Sequence, residues 1–124
     1  QVLIAAVARI VDTAYQVFDR QDLNLTRDVE PLEEIVDELS KELKRRHVNR
    51  LRSGECTIEM GFILTDLLTS LERIADHCSN ISVCITQVRE NLYDTHSHLE
   101  NMKNEPDDSY YVRLEELQKE YVLP

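Results

Sequence analysis

Glycine occurs twice and proline three times in 124 residues, and tryptophan is absent. So few breakers argue against a fold of many tight turns and for long helices with short connections. Neither glycine belongs to a phosphate-binding loop. Basic residues are the minority, 14 Lys and Arg against 24 Asp and Glu, for a formal charge of −10. That balance argues against nucleic acid as a partner, because phosphate contacts need Lys and Arg. It is compatible with cation binding. The apolar run near the start reaches only from Val2 to Ala8 before Arg9. It is far too short to span a bilayer and lacks the layout of a signal peptide.

The three cysteines, Cys56, Cys78 and Cys84, are odd in number and lack paired spacing. A disulfide framework is therefore not expected. Cys78 and Cys84 fall within an apolar helical pattern and read as small core residues in a protein of a reducing compartment. No CxxC or HExxH pair occurs. The chain opens on Gln1 and enters "VLIAAVARIV" without a cap residue, so it is expected to be one helical domain, 1–124, cut from a longer protein.

What is present is helical periodicity. A first helix is expected over roughly 2–21, with Leu3, Val7, Ile10, Ala14 and Val17 on one seam and Ile4, Val11 and Phe18 on a second beside it. A second is expected over roughly 29–50, capped by Asp28, with Pro31 in its first turn and Leu32, Val36, Leu39 and Leu43 as its seam. Its acids crowd the start and "KRRH" the end, as the helix dipole favours, and "SGE" supplies a glycine at its stop. A third starts near Thr57. There Leu64, Leu67, Leu71, Ile74, Cys78, Ile81, Ile85, Val88 and Leu92 alternate steps of three and four. This seam is expected to form the core and to continue through Leu99 and Met102 until "NEPDD" at 104–108. A short fourth helix, about 109–121, presents Tyr110, Leu114, Leu117 and Tyr121. With no strand candidate, the expected fold is an all-α, antiparallel three-helix bundle with a short C-terminal fourth helix.

The chemistry-bearing pattern is carboxylate. Glu72 and Asp76 are four apart, on one helix face with Cβ atoms about 6 Å apart. Glu33 and Asp37 repeat that spacing on the second helix. Relative to the heptad seam, Glu72 and Asp76 are expected to point outward, on a stripe with Thr65, Thr69 and Asn80 and with Asp66 at its margin. A solvated face normally carries long charged side chains. A stripe of short oxygen-bearing ones suits a hard cation. The candidate metal ligands are thus Glu33, Asp37, Glu72 and Asp76, with Asp66 and Asn80 as secondary ones. Ordinary surface acids are the competing explanation, strongest for the Glu-rich second helix. His47, in a basic helix terminus, reads as a partner of the dipole, and His77 points about 100° away from Asp76. No Ser, Cys or Lys shows a base and an orienter, so no enzyme is expected. A carboxylate-bridged di-metal enzyme is disfavoured because no His falls three residues after the key acids.

"LTDLLTSLERIADHCSNIS" (64–82) resembles the PhoU family, whose E(D)-x-x-x-D motif sits within a pattern like D-L-x-R-I-x-D-H-x-x-N-I. Asp66, Leu71, Glu72, Arg73, Ile74, Asp76, His77, Asn80 and Ile81 carry the resemblance, and "PLEEIVDEL" looks like the family's other E-x-x-x-D segment. "RHVNRLRSGECTIEMG" and the closing "YDTHSHLENMKNE…LQKEYVL" are similar to the second PhoU repeat attached to bacterial sodium/phosphate cotransporters. The resemblance implies a three-helix repeat, normally present twice, that regulates phosphate uptake and signalling. It implies iron, zinc or another divalent metal as cofactor in some members. For the transporter branch it implies a domain on the cytoplasmic side of the plasma membrane, following a membrane transporter portion. A free-standing PhoU-type regulator is the alternative. Only one repeat is present, so a homodimer or a second repeat is the expected partner.

Overall fold

The computed structural model describes residues 1–90 and 109–124. The expected extension of the third helix past Leu92 to Leu99 and Met102, and the "NEPDD" break, lie outside the described residues. Among the latter there are four α-helices: α1 (Val2–Arg20), α2 (Thr26–Arg52), α3 (Ile58–Glu90) and α4 (Ser109–Glu120). α1, α2 and α3 each pack on the other two, and α4 lies against α2. The all-α bundle with a short fourth helix is therefore what forms.

Local chemistry sets the boundaries. α1 ends at Gln21, a left-handed C-cap with φ 50°. A 3-10 turn, Leu23–Leu25, follows, with the Asp22 carboxylate accepting from the Asn24 N–H. α2 begins at Thr26, a turn earlier than the Asp28 cap predicts. Pro31 consequently stands in the helix body, where its missing N–H leaves the Arg27 carbonyl without its usual donor. α2 closes as the glycine predicts. Gly54 adopts φ +74°, its N–H donates to the Leu51 carbonyl, and the Glu55 N–H donates to that of Arg50. These paired bonds form a Schellman cap. Thr57 then caps α3 by accepting from the Met60 N–H at 3.3 Å.

The core confirms one seam of α1 and divides the α3 seam. Leu3, Val7, Ile10, Ala14 and Val17 are all buried, as are Leu32, Val36 and Leu39 of α2 and Leu117 of α4. On α3, however, the inward face is Leu68, Ala75, Cys78, Ser79, Ser82, Val83 and Thr86, flanked by Leu64, Leu71 and Ile85. Leu67, Ile74, Ile81 and Val88 were expected inside and are exposed, Ile74 by 39% and Val88 by 77%. The helical phase is thus rotated from the one apolar periodicity suggests. The reason is size: Ala75, Ser79, Ser82 and Thr86 let α3 approach its neighbours closely, and the bulky line is left outside. Cys84 is likewise exposed rather than core.

The displaced line has a regular form. Met60, Leu67, Ile74, Ile81 and Val88 recur every seven residues on α3, and Ile4, Val11 and Phe18 do so on α1; all are exposed. A strict seven-residue repeat is the period of a seam that another helix follows. We expect Leu68→Ala to destabilise by about 2–5 kcal/mol, as for a buried leucine. Ile74→Ala should cost well under half of that in the monomer; urea unfolding of both variants checks the corrected phase.

Candidate functional site

α2 and α3 run antiparallel, and contacts at both ends set their register. Near one end Ser79 Oγ donates to the Glu30 carboxylate, both side chains buried. Near the other, a Cβ added to Gly61 would lie 2.7 Å from His47 Nε2. Between these points Glu33 falls level with Asp76, and Asp37 level with Glu72. The two E-x-x-x-D segments, 39 residues apart from Glu33 to Glu72, therefore share one seam.

Electrostatics register the convergence. The Glu33 carboxyl is pushed up from an ordinary 4.5 to about 7, by burial first and then by the charges of Glu30, Asp37, Glu34 and Asp76. Tyr110 of α4 is raised too, by burial and by Glu34, Glu30 and Glu33, which places the N-terminal end of α4 over this carboxylate group. Asp76 is exposed and Asp37 partly so. Glu72 is not outward as predicted: it is three-quarters buried at the helix edge and accepts a 2.8 Å ion pair from Lys44 of α2. Lys41 lies 3.5 Å from Asp37 in a more exposed pair. The lysine-free stripe seen along α3 thus acquires one cation, Lys44, from the facing helix. Asp66 and Asn80 stand exposed on α3. Glu30, Lys44, Ser79 and Tyr110 belong to the site without having been singled out from sequence. The i−3 spacing of Glu30 from Glu33 was the available signal; pairing across helices was not visible along one chain.

The donor set decides what the seam can hold. Carboxylate oxygens suit hard cations, and a cation among Glu33, Asp37 and Asp76 would take over the role of the proton that crowding favours on Glu33. Glu72 could join only by exchanging Lys44 for the metal. Among the described residues, no three His, Cys, Asp or Glu side chains are already gathered so as to hold a metal ion.

The PhoU domain family matches residues 3–85, which span all three bundle helices to near the end of α3. This chain belongs to the PhoU domain family. Over 79 residues it is 25% identical to the phosphate-specific transport system accessory protein PhoU homolog 1 of Thermotoga maritima, a stretch covering 64% of this chain and 34% of that protein. The chain thus matches about a third of the relative's length. No solved structure matches. The PhoU match contains both carboxylate segments and stops short of α4, whose Tyr110 approaches them from outside the family region.

The raised Glu33 has a signed consequence for the metal-free protein. Its folded form holds a proton more tightly than the unfolded chain does. Its contribution is most favourable below about pH 4.5 and is lost as pH rises through about 7. Glu33→Gln, keeping the shape without the charge, should raise the melting temperature at pH 8 and change it little at pH 4. Thermal melts followed by circular dichroism in the presence of chelator check both arms.

Proposed function

We propose that this chain is a PhoU-type regulatory domain that controls phosphate uptake through helix-bundle contacts, without an enzymatic step. The observation that carries this reading is a PhoU bundle whose α1 and α3 each expose an apolar line of seven-residue period. Exposed apolar surface on that scale marks an interaction site. In the finer reading the domain serves a sodium-dependent phosphate transporter from the cytoplasmic side of the membrane. A free-standing PhoU-type regulator fits equally well, and the Thermotoga relative, named as an accessory protein, accords with it. No helix among the described residues is long and apolar enough to cross a membrane, so the membrane contact in either reading is made by a partner or another part of the protein. Several apolar stretches of about 20 residues encoded upstream in the same reading frame select the transporter reading.

The immediate occupant of the apolar face is a second PhoU repeat or, for this chain alone, a second copy. A two-fold pairing buries the α1 and α3 lines against their equivalents. Sedimentation should show a dimer at roughly tens of micromolar, where an interface of standard size holds. Leu67→Asp with Ile81→Asp should give a folded monomer. A monomeric wild type at that concentration removes the second-copy reading. For the regulatory role, the same double variant placed in the intact protein should lose the phosphate-dependent change in uptake of labelled phosphate; an unchanged response counts against it.

A metal is proposed for the carboxylate seam: iron, zinc or another divalent cation on Glu33, Asp37, Glu72 and Asp76, with Asp66 and Asn80 as outer donors. What supports it is the level pairing of the two motifs and the mutual repulsion felt at Glu33. Binding should weaken at low pH as the carboxylates protonate. Calorimetric titration of iron, zinc and manganese into chelator-stripped protein should give heats that Glu72→Gln with Asp76→Asn abolishes. Equal heats from both proteins would place the ion elsewhere.

A further inference from the structure

The α2–α3 turn holds a pairing that neither the carboxylate seam nor the apolar face uses. Cys56 follows the Schellman cap, partly exposed, with its Sγ 3.6 Å from Nδ1 of His47. The sulfur also lies 3.7 Å from the Thr57 carbonyl, so in the Nε2–H tautomer of His47 the thiol has two acceptors within reach. His47 is 7% exposed, and its Nε2 is buried without a hydrogen-bond partner. The imidazole is held against Gly61, where no side chain could fit without moving it. A buried ring fixed in this way turns one nitrogen on a sulfur that solvent can reach. That is the arrangement of a nucleophile with an adjacent base.

The other two thiols differ. Cys78 is buried, and burial pushes its thiol up. Cys84 is more exposed than Cys56, but His77 of the same helix is seven residues away, about 10 Å of rise. Exposure alone therefore ranks Cys84 first in reactivity, whereas base assistance ranks Cys56 first.

We propose that Cys56, with His47 as its base, is a thiol-modification site that reacts with small disulfides. The Cys56 proton passes to His47 Nδ1 as Sγ attacks one sulfur of the disulfide. A Cys56–sulfur bond forms, the original S–S bond breaks, and the released thiolate takes up the proton. One thiol and one disulfide give one mixed disulfide and one thiol, with no further oxidant. A small reducing thiol reverses the step.

The test uses the full chain and bis(2-hydroxyethyl) disulfide, with acid quenching and peptide mass spectrometry to time each cysteine separately. Cys56 should form its adduct about tenfold faster than Cys84, a modest effect for a positioned base acting on a thiol. His47→Gln should bring the Cys56 rate down to that of Cys84. Gly61→Ala should do the same with both reacting residues intact, since its methyl group takes the space of Nε2. Circular dichroism confirms that each variant is folded; if either is not, the wild-type order decides alone. Cys84 reacting first in the wild type overturns the proposal. So does a Cys56 rate that is unchanged or higher in the folded variants.

Discussion

The antiparallel seam between α2 and α3 is the interaction on which the rest of this structure depends. α2 is packed on by α1, α3 and α4, and its acids range from the buried Glu30 to the partly exposed Glu33, Glu34 and Asp37. Glu30 finds the Ser79 hydroxyl, Glu72 of the facing helix finds Lys44, and Glu33 is left among like charges with a raised affinity for protons. Burying a carboxylate without a cation is unfavourable, and evolution ordinarily pairs or removes such groups. Glu33 lies level with Asp76, inside the family match.

Register along that seam comes from small residues and a turn. Gly61 admits the His47 ring, and the Gly54 cap reverses the chain so that Cys56 lands beside the same ring. Ala75, Ser79 and Ser82 allow close approach further along. Ion pairs at the edges, Arg9 with Glu120 and Arg113 with Asp28, tie α4 to α1 and α2 at 2.7 and 2.8 Å. All four partners are partly solvated, so these pairs add orientation more than stability. Leu117, fully buried, anchors α4.

Close packing on one side of α3 has a cost on the other. Side chains too large for the small-residue face remain outside, where they form heptad lines with those of α1. The close packing of the bundle and the exposure of these lines are thus two sides of one arrangement. The bundle covers one face of α3 and leaves the line Leu67, Ile74, Ile81 and Val88 exposed.

By itself, the sequence determined the helical class, the bounds of α1 and α4 and the start of α3 to within a residue, the glycine stop of α2, and the buried seam of α1. Local effects control these features: scarce breakers, capping and one clear apolar line per helix. It also brought both carboxylate pairs into view, because i,i+4 spacing is a property of one helix. Only the tertiary structure decided which apolar line of α3 faces inward, that Glu72 meets Lys44, that Tyr110 approaches Glu33, and that His47 faces Cys56. On α3 both lines repeat every seven residues, so periodicity cannot choose between them; the choice falls to the sizes of the intervening side chains against α1 and α2. The remaining contacts join residues far apart along the chain, and their pairing follows from the packed register of two helices, which no local pattern encodes.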